Sequence, residues 1–341
     1  MKIIIDAMGG DHAPEEIVKG AVQAHQTLGH DLLLVGREAD IRRCLRVEGT
    51  ENLPGIQIQN ADDVIDMNDD PTLAIRRKKD SSMVVALNLL KDGEGDAVVS
   101  AGSTGALLTG ATLIVRRIKG IRRAALAPAL PNMGAGALLI DCGANAECTP
   151  EQLLQFAYMG DLYAKRMLGI GSPRVALLNN GTEEHKGTSM HQETYQLLKQ
   201  ADLNFVGNVE GSQVLFGEVD VIVTDGFSGN ILLKTIEGTA KFLLKNIKEI
   251  LMSGLKNKLA ALMVKNDIGA LKKMMDPNEI GGTALLGISK PVIKAHGSSE
   301  ASAVVNAIRQ AAEFAQSDFI QTIAEHIDDM RMDSVKDEKE F

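Results

Sequence analysis

Residues Val219 to Lys234 read VDVIVTDGFSGNILLK and join a predicted strand to a predicted helix. The run from Val219 to Thr224 is apolar and rich in β-branched residues, which is typical of a strand buried on both faces. It ends in a segment of glycine and polar residues, Asp225-Gly226-Phe227-Ser228-Gly229-Asn230. Such side chains bind a polar ligand or cap the next helix, which we expect to begin near Ile231. The stretch alone predicts an α/β unit and leaves both roles open.

The same arrangement recurs along the chain. Short apolar runs at residues 3–5, 97–99, 137–140, 175–178 and 291–293 each precede a loop of glycine with Asp, Asn, Ser or His, and helical patterns follow. Strands that alternate with helices predict a mostly parallel sheet covered by helices on both faces. Because ligands bind outside the carboxyl ends of such strands, we expect the six polar loops to share one cleft.

The composition excludes several classes of protein. Among 341 residues, 45% are hydrophobic, which is typical of a soluble globular protein, and the net charge of −9 argues against a dedicated nucleic-acid binder. Three cysteines favour a reducing compartment, so we expect a cytoplasmic protein. No apolar run approaches the roughly 20 residues of a membrane span. Dinucleotide, P-loop, serine-hydrolase and zinc-site motifs are not found, so no cofactor or metal is predicted.

Residues 231–275 form a basic, amphipathic segment that we predict to be a protruding helical hairpin. From Lys234 to Lys273 there are nine lysines and three acidic residues, a net charge of +6. Apolar residues at helical spacing occupy the opposite face. A positive arm on an otherwise acidic chain indicates an anionic target. We expect residues 1–330 to form one domain with this insertion, and residues 331–341 to form a charged, flexible tail.

Two loops have the residues of an anion-binding site. Ser100-Ala101-Gly102-Ser103-Thr104-Gly105 and His296-Gly297-Ser298-Ser299 both precede helices and can direct N–H groups and hydroxyls toward an anion. Arg76-Arg77-Lys78-Lys79 lies close to a predicted helix start, although four such residues are more often a solvated surface. Residues 116–123 carry five positive charges in eight positions, which favours an acidic partner.

Seven motifs occur in the order found in the bacterial phosphate acyltransferase family of phospholipid synthesis, which the chain resembles from Met1 to about Gln316. They are DAMGGDHAP (6–14), RRKKDSSM (76–83), SAGSTGAL (100–107), RRIKGIRRAALAP (116–128), NNGTEEHKG (179–187), VTDGFSGN (223–230) and KAHGSS (294–299). The resemblance implies a three-layer α/β/α sandwich around one mixed, largely parallel sheet, similar to phosphotransacetylases and to isocitrate/isopropylmalate dehydrogenases. It also implies a homodimer, attached peripherally to the inner face of the cell membrane through the hairpin.

The implied reaction moves a fatty acyl group from acyl carrier protein to inorganic phosphate and gives acyl phosphate. Asn180, Asn230 or a loop N–H would stabilise the oxyanion, Lys186 or Arg76 would hold phosphate, and His296 or His12 would protonate the leaving thiolate. Asp225 completes this group of catalytic candidates. The candidates for binding phosphate or substrate are Asp6, Gly9, Gly10, Arg76, Lys78, Ser100, Gly102, Ser103, Thr104, Asn145, Asn180, Gly181, Gly226, Gly229, Gly297, Ser298 and Ser299. The acidic carrier protein is expected to dock on the basic patch, which is Arg116, Arg117, Lys119, Arg122 and Arg123.

Three alternatives stay open. A short-chain phosphate acetyl- or butyryltransferase that uses coenzyme A would share fold and chemistry but would have no use for a basic hairpin. A metal-dependent decarboxylating dehydrogenase would need clustered metal-binding aspartates and a nicotinamide pocket, and the sequence has neither pattern. A non-catalytic membrane-surface scaffold would need no site at all. The hairpin itself is open between lipid contact, burial in a partner subunit, or both.

Overall fold

The computed structural model describes residues 1–134, 136–275 and 281–331. The tail predicted for residues 331–341 therefore lies outside the described residues, apart from Arg331. The strands are β1 (Lys2–Asp6), β2 (Asp31–Gly36), β3 (Ile56–Asn60), β4 (Ala97–Ser100), β5 (Ala125–Ala127), β6 (Ala129–Leu130), β7 (Ala137–Ile140), β8 (Val175–Asn179), β9 (Phe205–Glu210), β10 (Val221–Val223), β11 (Gly282–Leu286) and β12 (Val292–Ala295). All six strands predicted from the sequence are present.

The helices alternate with these strands, as predicted. They are α1 (Glu15–Leu28), α2 (Glu38–Val47), α3 (Pro71–Arg77), α4 (Ser82–Asp92), α5 (Thr104–Gly110), α6 (Pro150–Met167), α7 (Ser189–Gln200), α8 (Gly226–Met252), α9 (Leu255–Met263), α10 (Lys265–Met274), α11 (Ala301–Gln316) and α12 (Phe319–Glu325), with a π-helical turn at Ala111–Val115 after α5. None of the described helices combines the length and the hydropathy that a membrane span requires.

A seven-stranded sheet has the order β3-β2-β1-β4-β12-β11-β5. Its strands pair in parallel from β3 to β12, whereas β11 pairs antiparallel with both of its neighbours. Alternate residues of each strand point to opposite sides of the sheet. Both sets are apolar here, so helices cover both faces. Ile3 and Ile5 pack with α1 and α11, and Ile4 between them packs with α4. This layering confirms the predicted α/β fold class.

A second sheet has five strands in the order β6-β7-β10-β8-β9. Strands β7, β10, β8 and β9 are parallel, and β6 pairs antiparallel with β7. Val221 and Val223 pack against α6, while Ile222 on the other face lies in a cluster with the first turns of α8. The α6 cluster also contains Ile3 and Ile5 of the first sheet. This shared core supports the prediction of one domain, which stays a prediction.

The expectation of one sheet was wrong, because the strands divide into two at Pro128. This proline lies between β5 of the first sheet and β6 of the second. Proline has no N–H to donate, so it cannot extend a strand ladder in both directions. Two bonds still join the sheets here: Leu139 N–H donates to the Pro128 carbonyl at 2.9 Å, and Cys142 N–H donates to Leu126 at 3.0 Å. The junction places β5 and β6 beside the polar strand ends.

The helix predicted to begin near Ile231 begins at Gly226 instead. Asp225 is its N-cap and accepts from Ser228 N–H at 2.8 Å. From there α8 runs for 27 residues, to Met252. The second arm is divided into α9 and α10, and within these two described helices no residue is buried. The predicted hairpin is thus present, with a first arm that starts in the body of the protein.

Candidate functional site

A cavity of about 580 Å³ lies at the carboxyl ends of the strands, between the sheet junction and α8. Five of the six predicted loops contribute to its lining, and the loop after β8 does not. The polar lining residues are Asp11, Thr104, Gly143, Asn230, Lys234, Glu237, Thr283, Lys294, His296, Gly297 and Ser298. The expectation that strand ends share one cleft is therefore confirmed for five loops.

The loops after β1, β4 and β12 are packed against one another and form the polar wall. Asp11 N–H donates to the Gly297 carbonyl at 2.8 Å. A Cβ added to Gly9 would lie 2.7 Å from the Gly102 nitrogen, so only glycine allows the first two loops to approach this closely. Gly10 has a φ of +112°, which also favours glycine. The predicted residues Gly9, Gly10, Gly102 and Gly297 are thus brought together as backbone.

Asp6 and Ser100 are buried beneath this wall. The Ser100 hydroxyl donates to Asp6 Oδ2 at 2.6 Å and accepts from Gly102 N–H at 3.1 Å. Burial raises the pKa of Asp6, and the hydrogen bond from Ser100 opposes that rise. The pair joins the ends of β1 and β4 from below. Both residues were predicted to bind substrate, and the structure gives them a supporting position behind the loops.

Asp141 organises the opposite side of the cavity. Its carboxylate accepts N–H bonds from Leu126 at 2.9 Å, Cys142 at 2.6 Å and Asn145 at 2.7 Å. The Asn145 side chain donates to Asp141 and to the Ala124 carbonyl, at 2.9 and 2.8 Å. Asn145, predicted to bind substrate, is therefore used in holding β5 to the loop after β7.

The first turn of α8 packs tightly against this loop. A Cβ on Gly226 would lie 2.7 Å from the Asn145 carbonyl oxygen, and one on Gly229 would collide with the Asp141 carbonyl. Both carboxylate oxygens of Asp225 bond to Ser228, to its N–H at 2.8 Å and its hydroxyl at 2.9 Å. Gly226, Gly229 and Asp225 thus position the helix. Asn230 lines the cavity beside Gly143.

Three basic side chains line the cavity. Lys294, in β12, is only 8% exposed, and its Nζ donates to the carbonyls of Ala101 at 3.1 Å and Ala295 at 2.6 Å. Lys234 pairs with Glu237 at 3.0 Å on α8. His296 Nδ1 lies 3.0 Å from the Ser298 hydroxyl. Desolvation lowers the pKa of His296, and the charge of Lys234 lowers it further, so this histidine is mostly neutral at neutral pH.

The rest of the lining is apolar. It consists of Met67, Leu126, Pro128, Ala129, Leu130, Pro131, Cys142, Leu233, Ile236, Ala240, Met274, Met275 and Ala295, together with Gly281 and Gly282. Burial and the neighbouring Asp141 raise the pKa of Cys142 to about 12. Its thiol therefore stays protonated and acts as a small buried apolar group. One cavity thus has a polar wall at the strand ends and an apolar wall made by β5, β6 and the hairpin.

Several predicted residues lie outside the lining of this cavity. Lys186 is 3.9 Å from Glu183 in the loop after β8, which also holds Asn180 and Gly181. Lys78 pairs with Asp69 at 2.7 Å and donates to the Val64 carbonyl at 2.9 Å. The others are Arg76 and His12, which are exposed, Ser103, which caps α5, and Ser299, which is buried. The presence of a lysine or a histidine in a glycine-rich loop was therefore not enough to predict that the side chain lines the cavity.

The residues of the basic patch are all exposed. Arg122 pairs with Glu151 at 3.2 Å. The patch leads directly into β5, whose Leu126 lines the cavity. The patch and the cavity are therefore adjacent along the chain.

Sequence reasoning missed Lys294, Lys234 and Asp11. Lys294 follows two buried apolar residues of β12 and is itself buried. A lysine within a fully buried strand is unusual, because burial of an unpaired charge is costly. The contrast between this charged side chain and its buried apolar neighbours was the sequence signal that could have identified Lys294. Lys234 was counted among the lysines of the basic hairpin, and Asp11 lies in a loop without an unusual sequence feature.

The fold is similar to that of three solved enzymes. A phosphotransacetylase from Streptococcus pyogenes aligns with a TM-score of 0.61 at 18% identity, covering 92% of this chain and 94% of that chain. A branched-chain phosphotransacylase from Enterococcus faecalis V583 aligns with a TM-score of 0.56 at 16% identity, covering 93% and 99%. A 4-hydroxythreonine-4-phosphate dehydrogenase from Burkholderia phymatum gives 0.50 at 16%, covering 92% and 97%. These likenesses confirm the predicted phosphotransacetylase-like and dehydrogenase-like fold.

Sequence comparison extends over nearly the whole chain. The family described as "Fatty acid synthesis protein" matches residues 1–322. Phosphate acyltransferases from Geobacillus sp. (strain WCH70) and Clostridioides difficile (strain 630) are 49% and 46% identical to it, over 96% and 100% of this chain and 99% and 100% of their own lengths. The chain therefore belongs to the phosphate acyltransferase family and is an acyltransferase of fatty acid and phospholipid synthesis.

Proposed function

We propose that the enzyme transfers a long-chain fatty acyl group from acyl carrier protein to inorganic phosphate and releases acyl phosphate. One observation carries this proposal: a single cavity has an anion-compatible wall at the strand ends and an apolar wall continuous with an exposed hairpin. Phosphate and a hydrocarbon chain need opposite surroundings. Their reaction requires both to meet at one carbonyl carbon.

Phosphate is proposed to bind at the polar wall. Lys294 and Lys234 supply positive charge there, and the loop from His296 to Ser298 supplies N–H groups and a hydroxyl in front of the 16-residue helix α11. Successive loop N–H groups and helix N-termini favour anions. Lys186 and His12, outside the lining, have no part in this proposal.

The acyl chain is proposed to lie along α8. Asn230, Leu233, Glu237 and Ala240 line the cavity at intervals of three or four residues, which is one face of a helix. Leu130 and Pro131 line the same cavity as the apolar members of this face. A thioester carbonyl near Asn230 would then have its chain directed toward Ala240. The cavity has the size of known small-molecule sites, about 300–1,000 Å³.

Acyl transfer would then need little covalent catalysis by a side chain of the enzyme. Phosphate dianion is already a nucleophile, so holding it beside the thioester supplies much of the rate by proximity. The oxyanion that forms on the carbonyl needs hydrogen-bond donors, and the side-chain amide of Asn230, which lines the cavity, is proposed for this role. No metal or organic cofactor is part of the proposal.

The acidic carrier protein is proposed to dock on the basic patch, next to β5 and the cavity. The hairpin is proposed to contact the inner face of an anionic membrane and a second subunit of a homodimer. Large apolar side chains are exposed along it: Phe242, Leu243, Ile250, Met252, Leu255, Leu259, Leu262 and Met263. Lysines near an anionic surface add about 1 kcal/mol each at most, so attachment would be reversible. Replacing Leu255, Leu259 and Leu262 by Gln should abolish flotation with anionic vesicles, and unchanged flotation would exclude lipid contact there.

The deciding experiment measures release of free thiol from palmitoyl-carrier protein with and without inorganic phosphate. We expect release to require phosphate and to be matched mole for mole by acyl phosphate. Palmitoyl- and acetyl-coenzyme A serve as comparison substrates. Faster reaction with acetyl-coenzyme A would favour the short-chain transferase, and phosphate-independent or absent release would overturn the proposal.

A further inference from the structure

Lys294 is a buried cation that makes no hydrogen bond to a carboxylate among the described residues. Its two hydrogen bonds go to the neutral carbonyls of Ala101 and Ala295, at 3.1 and 2.6 Å. A lysine ammonium has three N–H donors. Because the side chain also lines the cavity, one donor remains for a bound group.

The carbonyls fix this donor in position. Ala101 belongs to the loop after β4, and Ala295 ends β12, which pairs with β4 through Lys294 and Ser100. The ammonium group therefore lies where the ends of β4 and β12 meet, and two strands of the sheet fix its position. A fixed donor of this kind suits a group that must act on one atom of the substrate.

We propose that Lys294 gives its proton to the sulfur that leaves during acyl transfer. This inference rests on the proposed function. A phosphate oxygen forms a bond to the carbonyl carbon, the carbon–sulfur bond breaks, and its electron pair goes to sulfur. Sulfur takes a proton from Lys294 Nζ, which becomes a neutral amine and is reprotonated by solvent that reaches the exposed His296.

The acidity of Lys294 is suited to this step. Burial lowers its pKa to about 8, which is close to the value of about 8.5 for an alkyl thiol. Proton transfer is efficient when the donor titrates near the working pH. The ionisable groups around it are Asp6 and Asp11, which raise the pKa, Lys234, which lowers it, and Glu237 and His296 in the same cavity.

The other groups in the cavity are poorer donors. His296 is mostly neutral, because desolvation and Lys234 lower its pKa. Lys234 is already paired with Glu237 at 3.0 Å. The Cys142 thiol has its pKa raised to about 12. Lys294 is the cation that combines burial, fixed geometry and a matched acidity.

The test varies the leaving group. Lys294→Met and Lys294→Arg are compared with wild type on palmitoyl-carrier protein and on a palmitoyl ester of p-nitrothiophenol, whose thiolate leaves without a proton. We expect both variants to lose about 10²–10⁴-fold in kcat with the carrier substrate and less than 10-fold with the aryl ester. An equal loss on both substrates, or recovery by arginine together with a changed KM for phosphate, would show that Lys294 acts only by binding phosphate and not as the proton donor.

Lys290→Met is the matched control. Lys290 precedes β12, at the other end of the strand, and its Nζ also donates to two carbonyls, Leu90 at 2.7 Å and Lys91 at 3.2 Å. It should lower thermal stability but leave the ratio of rates on the two substrates unchanged. A Lys290 variant that reproduces the Lys294 pattern would overturn the assignment.

The pH profile of wild type gives a second test that needs no variant to fold. With the carrier substrate kcat should fall as pH rises through about 8, because the ammonium form is lost. With the aryl ester kcat should stay level over the same range. Level profiles on both substrates would overturn the role of Lys294, whereas absence of acyl phosphate from either substrate would overturn the proposed function itself.

Discussion

Gly9 makes the tightest backbone contact in the polar wall. A Cβ there would lie 2.7 Å from both Asp6 Oδ2 and the Gly102 nitrogen. Gly9→Ala should therefore force the loops after β1 and β4 apart, at a cost of about 1–3 kcal/mol in stability, and raise the KM for phosphate. Thermal unfolding and phosphate titration measure the two effects. Gly171→Ala is the control, because a Cβ there meets nothing within 4 Å. Equal melting temperatures and KM values for both variants would contradict this account.

Asp220 makes the fold sensitive to acid. Its carboxylate accepts from Arg174 through Nε at 2.9 Å and one Nη at 2.8 Å. The hydrogen bond from Arg174 lowers the pKa of Asp220. A carboxyl whose pKa is lower in the folded state stabilises the fold above its unfolded pKa of about 3.9, and this contribution is lost as pH falls.

Asp220→Asn should therefore reduce the melting temperature at pH 7, and the gap to wild type should narrow below about pH 4. Thermal unfolding curves of both proteins, recorded across this pH range, measure the difference in melting temperature. Asp92→Asn, at an exposed carboxylate that ends α4, provides the comparison. A gap that stays constant with pH would mean that Arg174 and Asp220 do not act through this ionisation.

The sequence predicted the glycines of the site better than its charged side chains. Gly9, Gly102, Gly226 and Gly229 lie at close backbone contacts, and a glycine beside a strand end has few other reasons to be there. Lys186 and Lys294 illustrate the opposite case. Both are lysines after an apolar run, yet one pairs with Glu183 outside the cavity and the other lines it. Their positions depend on how distant strands pair, which local sequence does not contain.

Helix α8 takes part in two surfaces, because one of its faces lines the cavity and another is exposed. Ala240 is only 5% exposed on a helix whose neighbouring side chains are largely solvated. Ala240→Phe should fill the space proposed for the far end of the acyl chain. Exclusion of about two methylenes costs roughly 1.6 kcal/mol, on the order of a tenfold change. The ratio of kcat/KM for palmitoyl to that for octanoyl substrate should fall by this factor.

Thr239→Phe is the control for this change, since Thr239 is exposed on the same helix. It adds the same ring outside the cavity and should leave the chain-length ratio unchanged. If both phenylalanine variants have the wild-type ratio, the acyl chain does not run along this face of α8.

The start of α8 was predicted five residues too late for a physical reason. Glycine lowers helix propensity, so the segment with Gly226 and Gly229 was interpreted as a loop. Tertiary contact outweighs that preference here, because the Asn145 and Asp141 carbonyls leave no space for a larger side chain. Asp225 then supplies the cap that fixes the first turn. The capping box at Thr149 and Gln152, by contrast, was predictable because it is local.

At the scale of the whole molecule, charge is divided between an acidic body and two basic surfaces. Arg117→Glu with Lys119→Glu should weaken docking of an acidic carrier protein and raise its KM several-fold, more at low salt than at high salt. Lys91→Glu with Arg309→Glu is the matched control, since both residues are exposed outside the patch. Steady-state kinetics at two ionic strengths measure the effect. A salt-independent KM, equal in both double variants, would exclude the basic patch as the docking surface.

The division into two sheets could not be predicted from the sequence, although six of the twelve described strands could. The six predicted strands are buried runs with a local signature, whereas β5 and β6 are two or three residues long. Strands of that length have no periodicity to detect. Their place at the junction depends on Pro128 and on bonds to residues that are distant in sequence. The cavity lies at this junction, so its apolar wall was the least predictable part of the site.

The 27 residues of α8 make a stiff rod about 40 Å long. Its first turn is capped by Asp225 and packs against the loop that contains Asp141. Its other end exposes large apolar side chains. A membrane or partner that bound this outer end would also restrain the cavity in which, on the proposed function, a water-sensitive acyl phosphate forms. Enzyme held in this way would deliver its short-lived product at an interface, where the next acceptor can outcompete hydrolysis.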